Sequence, residues 1–278
     1  MAGQEKRSAY RIGDYARYMG VTPDFLKHYE QNGLLKAEHR PNGYRYFDFE
    51  DSARLLEFMR LRNHGVVVRQ MGALLDETPG EAAFCVLEDH VNAMRRRVER
   101  DSAVIAEFDA VSRWMAARRE KPFDWEVVEM EPAWFLPHSD GRHFLEDPQI
   151  YEVLPQWMDW MPVVRSVLCF TAAPRTPEDF SFRWGLGLRE SRALRYGIPR
   201  NGAVEVRPAG KALRWHCAGA LPQGVIDMLA HRTLPLFGVM ERLGLKPRGD
   251  GSMDILMTAN RANARETYAV FTVPVEEE

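Results

Sequence analysis

The stretch FLKHYEQNGLLKAEHRPNGYRYF, Phe25 to Phe47, joins a short helical pattern to a basic, aromatic hairpin. Its setting is a chain whose formal net charge is −3. Just upstream, Ile12, Tyr15, Ala16 and Met19 recur at the spacing of one helix face, and Gly20 is placed to end that helix. Thr22 as N-cap and Pro23 in the first turn start a second helix, expected to finish near Gly33. Two short helices divided by so brief a turn predict a helix-turn-helix. Downstream, Asn42-Gly43 signals a two-residue hairpin turn with positive φ at both positions. The hairpin carries Arg40, Tyr44, Arg45 and Tyr46, side chains that can hydrogen-bond phosphate. A helix N-terminus beside such a hairpin suits duplex DNA. Taken alone, the same pattern also fits a solvated hairpin on a small helical domain.

Charge is divided along the chain. Residues 1–76 hold twelve Lys and Arg against ten Asp and Glu, while residues 122–278 hold seventeen against twenty-one. A slightly basic head on an acidic body predicts separate tasks for the two regions. Cys85, Cys169 and Cys217 lie far apart, in no metal-ligand or disulfide spacing, which points to a reducing compartment. No apolar leader and no long apolar run is present, so a cytoplasmic, soluble protein without a membrane partner is expected.

Between the two regions, residues 81–119 contain neither Gly nor Pro. Phe84, Leu87, Val91, Met94, Val98, Ile105, Phe108 and Met115 fit alternating steps of three and four, with Asp101 and Ser112 as polar interruptions. A helix of that span is about 58 Å long. Its narrow apolar stripe and charged flanks predict a coiled-coil homodimer; the alternative is a helix lying along its own C-terminal domain.

Residues 122–278 read as two similar β-α-β-β passages. Matching strands centred near residues 167 and 254, and near 182 and 269, predict a duplicated antiparallel sheet with helices on one side. Six of the seven Trp and seventeen of the thirty aromatic residues fall here, enough for an aromatic-walled pocket, although a core would absorb many of them. The expected fold class is α+β, in three parts: a winged helix-turn-helix (1–76), a dimerisation helix (77–121) and an effector domain (122–278).

The segments YRIGDYARYMGVTPDFLKHYEQNGLL, PNGYRYF and RLRNHGVVVRQMGALL, in that order from Tyr10 to Leu75, closely resemble the DNA-binding domain of MerR-family transcriptional regulators. The resemblance implies a homodimer on a pseudo-palindromic promoter, whose duplex is bent and untwisted for RNA polymerase. Carried over by position, Thr22 and its helix N-terminus would face phosphate. Lys27, His28 and Tyr29 would line the groove, Arg45 and Tyr46 would grip the backbone from the wing, and Arg62 would reach phosphate from a second loop. Lys27 stands where relatives carry Arg, and a point charge lacks the bidentate fork. Metal-sensing relatives place two further cysteines at the far end of the long helix; here Cys85 has none, so metal sensing is disfavoured and no cofactor is expected.

VRPAGKALRWHCAG and the helix pattern after it resemble the gyrase-inhibitor-like domain of multidrug-binding members of that family. This implies a pocket for a small amphipathic molecule, cationic or aromatic. By position, Asp254 would pair with a ligand cation and Tyr268 would face it, with Tyr151 and Trp184 as further lining. The alternatives are a hydrolase with Glu190, Asp254 or Glu266 as base, and an architectural DNA binder without a ligand. Against the hydrolase, no nucleophile or phosphate-loop motif is present.

Overall fold

A computed structural model of the chain describes residues 9–219, 221, 224–261 and 264–277. The chain divides into two compact units, Met1–Glu99 and Arg100–Glu278. The division falls inside a 38-residue helix, α5 (Gly80–Ala117).

In the first unit, β1 (Ala9–Arg11) leads into α1 (Ile12–Met19), which Gly20 closes at φ +67°. Helix α2 (Pro23–Gln31) starts where the Thr22 hydroxyl accepts the Phe25 amide at 3.1 Å. The wing is β2 (Glu38–His39) and β3 (Arg45–Asp48), in a three-stranded sheet of order β1-β3-β2. Its turn departs from the sequence expectation. Of Asn42 and Gly43 only the glycine has positive φ, and the Gly43 amide donates to the Arg40 carbonyl at 2.9 Å. Pro41 explains this: its ring fixes φ at the first corner of a wider turn, leaving the left-handed position to Gly43 alone. Helices α3 (Asp51–Asn63) and α4 (Val68–Asp76) complete the unit. Leu26, Tyr29, Phe47, Leu55, Phe58 and Met71 form the fully buried centre of its core.

The second unit is built on one antiparallel sheet. Its strands are β4 (Phe123–Met130), β5 (Ala133–Ser139), β6 (Arg165–Phe170), β7 (Phe182–Arg189) and β8 (Glu205–Arg207) from the first passage and the start of the second. The remainder are β9 (Gly210–Gly219), β10 (Leu245–Pro247), β11 (Gly251–Arg261) and β12 (Ala264–Glu277). The spatial order is β4-β9-β12-β11-β6-β7-β5-β8, with β10 paired to the far end of β12. The strand-like passage Trp125–Leu136 is thus two strands, split at Glu131-Pro132, and they go to opposite sides of the sheet. Each half has given its outermost strand to the other: β4 pairs with β9, and β8 pairs with β5. The centre is the β6–β11 pair, where Val167 stands directly across from Asp254.

Strand alternation sorts the residues to two faces. Leu168, Phe170, Trp215, Met253 and Phe271 join the core under α8 (Val225–Ala230) and α9 (Pro235–Arg242). Trp134, Leu136, Leu186 and Leu188 join that under α6 (Pro148–Met158) and α7 (Glu190–Arg195). Neighbours of opposite parity, such as Val167, Arg214, Asp254 and Thr272, turn to the other face, where the last turns of α5 lie against them.

Candidate nucleic-acid interface and ligand cavity

Thr22 and His28 are exposed on α2, and Lys27 reaches back to Asp24 at 2.8 Å. Tyr29 does not join them. It is 1% exposed, stacks on Phe25 at 4.2 Å between ring centroids, and points its hydroxyl at Met71 Sδ, 3.8 Å away. The expectation that Tyr29 lines the groove is corrected: three residues on from Leu26, it occupies the helix face that builds the core.

Glu30, on the same helix, ties down the wing. Its two carboxylate oxygens take His39 Nε2 at 2.8 Å and Arg45 Nε at 2.7 Å, one from each wing strand. Burial acts to raise the Glu30 pKa, but these two partners outweigh it and hold it below the ordinary value. Arg45 is therefore already engaged on one edge of its guanidinium. Tyr46 lies under the Arg40 guanidinium at 4.0 Å and accepts Asn42 Nδ2 at 3.0 Å. Arg62 is exposed, 5.4 Å from the Phe25 ring centre. Arg11, which sequence reading passed over, covers the Tyr44 ring at 3.3 Å and so joins β1 to the wing. Its signal was a single Arg in a strand too short to have a pattern.

Between the last turns of α5 and the sheet face turned away from α6–α9 lies a cavity of about 440 Å³, within the range of small-molecule sites. Ala110, Val111 and Trp114 of α5 form one wall; Phe135, Val167 and Val270 contribute apolar surface from the sheet. Its polar lining is dominated by arginine: Arg165, Arg189, Arg192, Arg207 and Arg214, against Glu129, Glu131 and Asp254. Among the described residues, two polar contacts tie α5 to the rest of this unit. Glu107, 2% exposed, receives Arg165 Nε at 3.0 Å on one oxygen, together with that residue's Nη2, and Arg192 on the other. Burial acts to raise its pKa, and the two guanidiniums more than reverse this. Further along, the Trp114 indole N–H donates to His216 Nδ1 at 2.9 Å. Indole nitrogen can only donate, so the neutral ring carries its proton on Nε2, which donates to Glu126 at 3.1 Å. Burial first, then Arg118, depress the His216 pKa, against a smaller opposing pull from Glu126.

Of the four residues expected to contact ligand, only Asp254 lines this cavity. Its carboxylate makes no hydrogen bond or ion pair with any other described residue; Arg183 is held by Glu205, and Arg189 reaches Glu131 at 3.3 Å. Tyr268 has the parity of Val270 and Thr272 but lies beyond the cavity, its hydroxyl 3.3 Å from Glu266. Trp184 has the parity of Leu186 and Leu188, and Tyr151 sits on α6, so these two belong to the opposite face. There Trp184 donates to Ser166 Oγ at 2.7 Å, and the Tyr151 hydroxyl donates to the Leu145 carbonyl at 2.8 Å. The four do not converge on one site: strand parity turns Trp184 away, Tyr151 lies on α6, and Tyr268 lies further along its strand. Glu190 accepts the Trp134 indole at 2.9 Å. Among the described residues no cluster of three or more His, Cys, Asp or Glu could hold a metal. Cys85 is exposed; burial pushes the thiols of Cys169 and Cys217 up to about 12 and about 11.

Residues 10–78 match the MerR HTH family regulatory protein family. The HTH-type transcriptional regulator SkgA of Caulobacter vibrioides is 29% identical over 142 residues, which are 47% of this chain and 54% of SkgA. The uncharacterised HTH-type transcriptional regulator PA4778 of Pseudomonas aeruginosa is 31% identical over 94 residues, covering 32% of this chain and 71% of that protein. Among solved structures, the EcmrR–DNA complex aligns over 97% of this chain and 100% of its own, at 15% identity and a TM-score of 0.37. The chain spans about half the length of the first curated relatives it matches.

Proposed function

Given that the chain belongs to the MerR family of helix-turn-helix transcriptional regulators, we propose that it grips a promoter duplex as a homodimer and answers a small amphipathic molecule held in its second unit. The observation that carries the DNA contact is the wing clamped to α2 through Glu30, with Thr22, Lys27 and His28 left accessible on that helix. The α2 N-terminus meets phosphate, Arg45 and Tyr46 hold the backbone, and Arg62 adds a second phosphate contact. Lys27 supplies charge to the groove without a bidentate fork.

Pairing is assigned to α5. Phe84, Val98, Ile105 and Phe108 stand at heptad positions and are 69, 65, 62 and 68% exposed, a stripe that a second copy would cover. Two heads on one operator can bend and untwist the duplex between them, at a cost of about 1–6 kcal/mol that the protein contacts offset. A ligand acts on this only through different affinities for the two states. RNA polymerase at the promoter is the partner such a distortion serves.

Footprinting on supercoiled DNA that the protein selects from a genomic library tests the reading. A symmetric protected site with enhanced cleavage at its centre is expected; no discrete site on any selected fragment would end it. In the same assay Arg62→Ala weakens binding evenly across sequences and lowers the salt slope by about 1.

A further inference from the structure

Rows of arginine on an apolar wall are unusual in a cavity built for a cation. Two of these five guanidiniums are matched one to one: Arg189 faces Glu131, and Arg214 faces Glu126. Two places have positive charge left over. Arg165 and Arg192 share a single carboxylate, Glu107, which comes not from the sheet but from the overlying helix. Among the described residues the Arg207 guanidinium donates only to a backbone carbonyl, that of Asp250, at 3.2 Å. On β11, the strand beside that of Arg165, Asp254 has a carboxylate to which nothing donates among the described residues. Trp114, Phe135, Val167 and Val270 supply apolar wall to the same cavity.

We infer that the cavity takes a small aromatic carboxylate bearing a hydrogen-bond donor, and that its carboxylate is received by Arg165 and Arg192 in exchange for Glu107. A guanidinium fork matches a carboxylate two bonds at a time. The pair already holds a carboxylate, Arg165 through Nε and Nη2 on one oxygen and Arg192 on the other, so the incoming group replaces like with like. The aromatic body stacks on Trp114 and Phe135, and the donor reaches Asp254. Because the displaced carboxylate belongs to α5, binding also releases one of the two polar contacts that tie this helix to the rest of the unit. The inference deepens the effector reading by naming a ligand class, and it reverses the charge that Asp254 alone suggested.

The test uses the full chain and 6-hydroxy-2-naphthoate, which carries a carboxylate and a donor at opposite ends of two rings. Its neutral amide and the tetraphenylphosphonium cation are comparators, and binding is followed by titration calorimetry. The naphthoate is expected to bind at least tenfold more tightly than its amide. Arg165→Gln and Arg192→Gln each weaken it tenfold or more, and Glu107→Gln strengthens it several-fold by removing the competitor. Should Glu107→Gln fail to fold, the two arginine variants and the amide comparison still decide. Naphthoate binding no tighter than the amide, or unmoved by both arginine variants, overturns the assignment. Tighter binding of the cation that is lost in Asp254→Asn overturns it in favour of a cationic effector. No saturable binding of the naphthoate also overturns it, and leaves the promoter reading to the footprint, which needs no ligand.

Discussion

Tyr29 lies between Phe25, Phe58 and Met71, and two substitutions separate its packing from any contact with DNA. Tyr29→Phe removes only a weak bond to sulfur, so stability should change by less than about 1 kcal/mol and operator affinity by less than twofold. Tyr29→Ala should cost about 3–5 kcal/mol, as large-to-small changes in a core do, read by urea denaturation. A tenfold loss of affinity in Tyr29→Phe would place the hydroxyl on phosphate instead. His216 and Glu107 make a second pair of residue-scale expectations. Both have depressed pKa values in the folded chain, so each contributes stability at high pH that is lost as pH falls. For His216 the loss begins below the ordinary value of 6.5; for Glu107 it begins below 4.5. Melting temperature should therefore fall in two separate windows, and His216→Gln should flatten the upper one alone. Loss of both windows in that variant would show that the two contacts do not act separately.

Among the elements, α5 carries the sharpest expectation. Replacing Ile105 or Phe108 with Glu puts a charge into the exposed stripe at a cost of about 3 kcal/mol per copy. Two copies double it, so dimerisation should weaken by roughly four orders of magnitude, seen as monomers in sedimentation equilibrium. An unchanged dimer would assign pairing to another surface. The helix was legible because heptad spacing and the absence of Gly and Pro are local signals, as were Gly20 and the Thr22 cap. Other elements depended on distant partners. Tyr29 reads as a surface residue until Met71, forty-two positions away, is packed against it. The wing turn was misread because Pro41 outweighs the Asn-Gly preference beside it. The cavity was the least legible feature, since Glu107 meets Arg165 and Arg192 across 58 and 85 residues. In sequence, Asp254 gave no sign of which face it would occupy; a one-residue difference in alignment reverses that choice.

At the scale of the molecule, the exchange of β4 and β8 makes each half of the sheet incomplete without the other. A fragment starting at Ala133 would expose the edge of β9 along eight residue pairs and lose the α5 wall of the cavity. It should associate or melt well below a fragment starting at Arg100, as light scattering and calorimetry would reveal. Equal melting temperatures for the two would mean that β4 adds nothing to the sheet. A consequence of the same layout concerns synthesis. Among the described residues, strand β12 stands between β9 and β11 and alone joins the β4–β9 edge to the remainder, yet of these strands it is the last to leave the ribosome. The first unit, whose contacts span short stretches of chain, can acquire its fold while the sheet still waits for this closing piece. During translation the helix-turn-helix head would thus fold before the sheet that carries the cavity, and ligand could act only once β12 has joined that sheet.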